Sequence, residues 1–424
     1  MTNPITQDAA EGVHADGPES LSPRKLLFLW IALTFSSLFI AAALTTPTII
    51  TLQMKLMEVD PISAVAIVGT LVAVGMLTAA LISPLAGKLS DRTRSRFGMR
   101  RPWVVAGVLI GLVGTAGVAF STDVAWIFVF WGLASLGYGM ASTLPLAILT
   151  EQTPERHRGV MGFGMSAAYG IAAALGAAII PLFPESTMWP FLLPAIAAAV
   201  LVPLLMLITP DNRLTGAKSP LRITELLGAY WVNPMGRPGF TSLMIVMFLN
   251  GAGFVIFSIY LYFILMFHNG VSEADAPAVM TGIAGIGGIV SIVAGAVTAV
   301  ISDRLGHRRL FLVVSSIVLA GGMLMQAFIE GVPMILFTGA LQYGAYGVIG
   351  VFAFAILAEV SGTETAGRDA GMYNTVTMMS AVLGPIAASL LIASDPTNMM
   401  PVIYLSVGVT ILGAIWMLFT KHIK

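Results

Sequence analysis

The sequence predicts an all-α polytopic membrane protein with twelve transmembrane helices arranged as two pseudo-symmetric six-helix bundles. Three observations predict it. Of 424 residues, 57% are hydrophobic and only 10% charged, with a mean hydropathy of +0.91; a soluble domain carries about 25% charged residues. Twelve apolar runs follow one another, each near the roughly 20 residues that cross a bilayer. The second half of the chain also repeats landmarks of the first. This composition excludes a soluble enzyme, a nucleic-acid binder and a disordered chain. The chain has no cysteine, which removes disulfides, Cys-ligated zinc and thiol chemistry. Net charge is zero, so the distribution of charge carries the information.

Residues 1–25 are polar, with four acids, and read as a disordered cytoplasmic tail. The apolar run behind them is too long for the h-region of a secretory signal. The runs fall at 26–50, 63–86, 103–120, 125–149, 160–183 and 189–209, then at 240–267, 277–301, 310–329, 333–358, 371–394 and 400–420. Each is read as a helix, because an open strand edge cannot be satisfied in lipid. Residues 26–209 make the N-terminal bundle and 240–420 the C-terminal bundle. The polar stretch 210–239, with Pro210, Asp211, Asn212, Gly216, Pro220 and Pro234, is a cytoplasmic linker, and 421–424 a cytoplasmic tail.

The positive charges orient the chain. With the N-terminus inside, 20 of the 21 Lys and Arg residues fall on the inner side and only Lys55 on the outer. Acids divide less sharply, 13 inside and 8 outside, as expected when Lys and Arg rather than net charge set topology. An error of one span would scramble the pattern. Both termini are therefore expected in the cytoplasm, with the chain in the plasma membrane. The absence of large loops points to a bacterial inner membrane.

The repeat is specific. LSDRTRSRFGMRRPW (89–103) follows the second run, and ISDRLGHRRL (301–310) the eighth; AILTEQTPERHRG (147–159) follows the fourth, and AILAEVSGTETAGRDAG (355–371) the tenth. Asp91 and Asp303 are 212 apart, Glu151 and Glu359 208, Arg158 and Arg368 210, and Tyr138-Gly139 recurs 208 later as Tyr346-Gly347. Four landmarks in one order at one offset mark an internal repeat of six helices. Repeated halves with a site between them are the plan of alternating-access transporters.

The D-R-x-G-x-R-R pattern after helices 2 and 8 resembles the major facilitator superfamily over residues 24–424. The longer SDRTRSRFGMRRPW is similar to the loop of sucrose transporters and glycoside–cation symporters. Gly87 stands four residues before Asp91, as that pattern asks, but extra residues precede Gly98, and Ala299 replaces the matching glycine in the second loop.

These loops suit a cytoplasmic gate that opens and closes. Arginine keeps its charge and binds carboxylates bidentately. An isolated surface pair contributes only ~0–1 kcal/mol, so a gate needs a network. The expected set is Asp91, Arg92, Arg100, Glu151, Arg158, Asp303, Arg304, Arg308, Glu359 and Arg368. The resemblance implies that Asp91 meets the start of helix 11 near Gly371, and the repeat then places Asp303 near Gly159. Glu151 and Glu359 are expected to pair with Arg92 or Arg100 and with Arg304 or Arg308. The plainer reading is that these charges only enforce topology. Acids add little to topology, yet they recur here at matched positions, which favours the gate.

No Asp, Glu, Lys or Arg lies inside any of the twelve runs. Intramembrane acids mark proton and ion relays, so their absence points to a neutral polar solute recognised by hydroxyls, amides and aromatic faces. The resemblance implies that helices 1, 4, 5, 7, 10 and 11 face the cavity. Trp131, Ser135, Tyr138 and Ser142 share one face of helix 4. Asn250 on helix 7, Gln342, Tyr343 and Tyr346 on helix 10, and Asn374 on helix 11 complete the substrate-binding candidates. An amide without a partner in hydrocarbon costs several kcal/mol, so Asn250 and Gln342 must face a cavity or another helix. Polar residues that merely join membrane helices are the plainer alternative for each.

The leading expectation is a secondary transporter of a sugar or glycoside, and the alternative is multidrug or metabolite efflux. No Walker loop and no buried catalytic set are present, so neither an ATP-driven pump nor a membrane enzyme is expected. A receptor that binds without moving solute is the remaining class. The expected partners are the solute, a coupling proton or cation where transport is not uniport, and the lipid bilayer, with no nucleic acid, cofactor or metal. The chain is expected to act as a monomer.

Overall fold

The computed structural model describes residues 22–183, 186–211, 237–360 and 366–420. The described residues form twelve long helices: α1 (Pro23–Val59), α2 (Ala64–Ser90), α3 (Arg101–Phe120), α4 (Val124–Gln152), α5 (Glu155–Ile179) and α6 (Met188–Ile208), then α7 (Pro238–His268), α8 (Ala276–Leu305), α9 (Arg308–Met325), α10 (Val332–Val360), α11 (Ala366–Ile392) and α12 (Met400–Phe419). Eleven of these helices are long and apolar enough to cross a membrane by length and composition; α5, several of whose side chains lie outside the described residues, is the twelfth. α5, rich in Gly and Ala, occupies the place of the predicted run 160–183.

Helix ends extend beyond the apolar runs. α2 reaches Ser90, α4 reaches Gln152 and α8 reaches Leu305. Charges that the sequence assigns to loops, such as Glu151 and Asp303, therefore sit on last helical turns, where helical hydrogen bonds continue past the apolar stretch.

The largest departure is in α1. Pro47 lies near the end of the apolar run 26–50, yet the helix runs on to Val59. Residues Pro47–Thr51 form a π-helical turn in which the Leu52 amide reaches back to the Pro47 carbonyl. The wider turn accommodates the ring that would otherwise end the ladder. Two more helical turns then carry Lys55 and Glu58, and Lys55 is only 4% exposed. Lys55 thus lies outside the apolar run 26–50 yet on the same continuous helix. α7 closes with a matching π turn, Ile264–His268.

Helices α1–α6 pack on one another, as do α7–α12; the bundles meet through α2 against α11 and α5 against α8. Under the repeat, α2 corresponds to α8 and α5 to α11, so these two seams are equivalents of each other. The end carrying Asp91, Arg100 and Arg308 is called the basic end below, and the opposite end the far end.

At the far end the bundles are joined. The Thr70 amide donates to Ser389 Oγ at 3.2 Å, and Gln53 Nε2 donates to the Ile259 carbonyl at 3.1 Å. Gly69 faces Pro385, Ser389 and Tyr260 so closely that any side chain would overlap them.

Candidate gate and transport site

The basic end is organised by one guanidinium. Arg100, at the start of α3, is 7% exposed. Its Nε donates to both Glu151 oxygens at 3.1 Å, and its Nη1 to Ser90 Oγ at 3.1 Å. Its Nη2 reaches Asp91 Oδ1 at 2.8 Å and also contacts Glu151. The rigid five-donor fork can serve three acceptors at once. Partial burial opposes the charge, but the Glu151 hydrogen bond and the fields of Glu151, Asp91 and Asp211 outweigh it, so the Arg100 pKa lies above its ordinary value.

Asp211 completes this arrangement, although the sequence shows it only as a linker residue. It lies just beyond α6, and its Oδ2 accepts the backbone amides of Arg100 at 2.8 Å and Arg101 at 3.0 Å. A carboxylate there satisfies amides that a helix start leaves open and meets the positive end of its dipole. Gly98, with φ +101°, lets the loop turn under the carboxylate, and a Cβ at that position would collide with Asp211. The Asp211→Ala variant is expected to lose about 1 kcal/mol of stability and roughly 2 °C of Tm, read by thermal unfolding in detergent. Asp211→Asn, which keeps an acceptor, should lose less. Equal melting of all three proteins would show that the cap contributes nothing.

The second bundle repeats the main tie. Arg308 pairs with Glu359 at 2.6 Å, as Arg100 does with Glu151. A further tie joins α7 to α11: Arg237 donates to the buried Asp369 at 2.8 Å, and also to the Val360 carbonyl at the end of α10. The Asp369 hydrogen bond holds the Arg237 pKa above its ordinary value. In the sequence Arg237 counts only as a topology charge, because nothing local pairs it with a residue 132 positions away.

Among the described residues, no contact of Asp91 with α11 is seen. It pairs with Arg100 in its own bundle, and a Cβ added to Gly371 would touch nothing within 4 Å. The bundles are bonded at the far end, and most of the start of α11, which the expected Asp91 contact involves, lies outside the described residues. Arg92 has interactions of its own. The side chains of Arg158, Asp303, Arg304 and Arg368 lie outside the described residues.

Mid-membrane, the candidate residues separate into different surroundings. Trp131 and Ser135 are buried against Gly75 of α2. Tyr138 packs on Gly111 of α3 and is hydrogen-bonded to Thr115 at 3.1 Å. Asn250 bonds the Val246 carbonyl at 3.0 Å and lies against Gly413 of α12. Gln342 donates to the Gly322 carbonyl of α9 at 2.9 Å. Tyr138 and Gln342 thus hydrogen-bond between helices of one bundle, while Trp131 Nε1, Ser135 Oγ and Asn250 Oδ1 are buried without a hydrogen-bond partner. Asn374 is exposed.

Tyr343 and Tyr346 are brought together. The Tyr346 ring stacks on Phe254 of α7 at 3.8 Å and 6°, and Tyr343 meets the same ring edge-on at 5.3 Å. Tyr343 is also hydrogen-bonded to Ser258. All four side chains are half-buried. Across the chain, Tyr169 of α5 is hydrogen-bonded to Ser142 of α4. Sequence reasoning misses Phe254, Ser258 and Tyr169. The only sequence signal for the first two is their four-residue spacing on helix 7.

Two six-helix bundles, joined at one end and carrying arginine–carboxylate ties at the other, define a polytopic helical membrane protein of two repeated halves. The chain belongs to the Major Facilitator Superfamily, whose family model matches residues 27–325 and 283–423. It is 33% identical over 134 residues to the 4-hydroxybenzoate transporter PcaK of Pseudomonas aeruginosa, covering 30% of each chain. It is 35% identical over 54 residues to the sucrose transport protein SUC4 of Arabidopsis thaliana, covering 13% of this chain and 11% of that one. The chain thus aligns with less than a third of these relatives. Among solved structures, a mutant form of the nucleoside transporter NupG superposes with a TM-score of 0.75 at 16% identity, covering 93% of this chain and 100% of the other. A D-xylose-proton symporter superposes with a TM-score of 0.69 at 15% identity, covering 93% and 98%. Such distant likenesses establish the fold.

Proposed function

We propose that the chain moves a neutral polar organic solute, a sugar or glycoside, across a bacterial inner membrane by alternating access, with both termini cytoplasmic. The observation that carries this reading is the aromatic surface of Phe254 and Tyr346 beside the Tyr343 and Ser258 hydroxyls. Aromatic faces cover the apolar face of a sugar ring, and hydroxyls exchange hydrogen bonds with its own. The relatives that transport sucrose and D-xylose agree with it. The charged set from Asp91 to Arg368 acts as the cytoplasmic gate, with its arginine ties holding each bundle rigid while the bundles rock.

A second reading, an aromatic acid, has a specific observation behind it. The likeness to a 4-hydroxybenzoate transporter is joined by the buried Lys55, a cation that Glu58 partners at 3.1 Å and that an anionic solute would have to share.

The test is uptake into liposomes holding the purified protein. The panel is sucrose, maltose, glucose, 4-hydroxybenzoate and a cationic dye, each with and without an imposed proton gradient. Sugar uptake supports the first reading and 4-hydroxybenzoate uptake the second. Movement of the dye alone would replace both with efflux. For the transported solute, Tyr346→Ala should raise KM by about three- to tenfold, since an aromatic contact contributes roughly 0.5–1.5 kcal/mol. An unchanged KM would remove the aromatic surface from the site.

A further inference from the structure

We propose that Glu58 is a proton-binding site that controls closure of the far end. The proposal rests on the transporter reading only in assuming that this end opens and closes.

A cavity of about 800 Å³ lies at the far end between the bundles. Its walls come from the last turns of α1, the chain around the start of α6, and residues Glu273, Ala274 and Pro277 at the start of α8. Among the described residues, its ionisable lining groups are Lys55 and Glu58 of α1 and Glu273. Tyr262 of α7 lies within reach of the Glu273 charge. The chain leading into α6 presents the Ser186 and Thr187 hydroxyls and apolar groups.

Lys55 and Glu58 differ in accessibility. The Lys55 side chain is 5% exposed and the Glu58 side chain 51% exposed, and they pair at 3.1 Å. Glu58 also accepts a hydrogen bond from Thr187 Oγ1 at 2.5 Å. A proton from the aqueous phase can thus reach the carboxylate, while the ammonium is almost wholly shielded from water. Protonating Glu58 removes the anion and leaves the buried ammonium without it. A buried charge stripped of its partner is strongly unfavourable, and hydration is regained if this turn of α1 moves outward.

That movement is coupled to the bundle contact. Gln53 stands two residues before Lys55 and is fully buried. Its Nε2 donates to the Thr48 carbonyl inside the α1 π turn and to the Ile259 carbonyl of α7, both at 3.1 Å. Displacing the Lys55 turn pulls on the bond that joins α1 to α7. The closed state therefore favours the ionised carboxylate, and by linkage a fall in pH favours the open far end.

The chain has no cysteine, so two introduced cysteines report cleanly. Ile62→Cys before α2 and Phe328→Cys before α10 replace exposed residues on the two bundles. Spin labels there, in lipid nanodiscs without solute, give the far-end distance distribution by pulsed EPR. The far-open population is expected to rise roughly fivefold between pH 7 and pH 3.5, the range over which a lysine-paired carboxylate takes up its proton. Glu58→Gln should be far-open and flat with pH. Lys55→Met should stay closed and flat, because no buried charge is left to expose. A wild-type pH response retained in Glu58→Gln would overturn the proposal, as would a flat wild type. If Glu58→Gln fails to fold, Lys55→Met decides alone: a retained response overturns the proposal and a lost one supports it. Because no solute is used, failure here leaves the transport reading standing, and a failed uptake panel leaves this result readable.

Discussion

Replacing Gly69 with valine is expected to hold the far end open and to stall transport. A Cβ at this position would lie 2.5 Å from Ser389 Oγ and 2.8 Å from Tyr260 Oη, and closer still to the Pro385 carbonyl oxygen. The first two atoms belong to a hydrogen-bonded pair, Tyr260 with Ser389 at 3.0 Å. The third is backbone at a proline inside α11. None of them is a flexible tip that can swing aside, so the seam between α2 and α11 must part. Overpacking a fitted contact costs about 1–3 kcal/mol. Applied to a transition between two states of similar energy, that shifts the balance by roughly five- to 150-fold. Spin labels at Ile62→Cys and Phe328→Cys should report a longer far-end distance in Gly69→Val, and solute uptake should fall with it. Gly285→Ala on α8, where a Cβ would touch nothing within 4 Å, is the control. A closed far end in Gly69→Val would mean that the seam is not a gate.

Arg100→Leu is expected to be the most damaging change at the basic end. The guanidinium joins the end of α2, through Ser90 and Asp91, to the end of α4, through Glu151. Leucine leaves the Glu151 carboxylate, which is 25% exposed, without its partner. The loss should be about 1.5–3 kcal/mol, the range for hydrogen bonds to charged groups. Asp91 is half exposed and adds little, since water screens it. Thermal unfolding should show a lower Tm, and uptake should fall at least tenfold in protein that still inserts. Adding Glu151→Gln should recover part of the stability, because it removes the stranded charge; the double-mutant cycle measures that coupling. Arg100→Lys should rescue only in part, since a point charge cannot replace the fork. Full rescue by lysine would show that charge suffices and geometry does not matter.

The two halves of the site differ in how far the sequence discloses them. The Arg100–Glu151 and Arg308–Glu359 ties are visible as an internal repeat, because one packing solution has been used twice. Asp211 is invisible as a partner: its bond to Arg100 spans 111 positions, and a helix cap of this kind leaves no periodic trace. Tyr138 and Tyr346 stand at equivalent places in the repeat, yet their surroundings diverge. Gly111 opens a slot on α3 that takes the Tyr138 ring, while Tyr346 finds Phe254 and stacks on it. A repeat in sequence preserves helix order and loop chemistry, but the neighbour of a single ring depends on side chains that have drifted independently.

Lys55 shows the same limit from the other direction. As the single basic residue on the outer side, it reads as a loop charge beyond the run 26–50. Only the π turn, which carries α1 past the proline, reveals it as a buried cation in a cavity between bundles.

The amino-acid sequence alone sufficed for the class of molecule, the number of helices and the family, because hydropathy, chain length and a repeated loop are local or periodic quantities. Tertiary structure alone decided which contacts join the bundles at the far end, which neighbours the buried polar residues meet, and which charges pair within each bundle. Those outcomes depend on contacts between residues far apart in the chain, whose energies are set by burial and geometry and leave no mark on either residue's neighbours in the sequence.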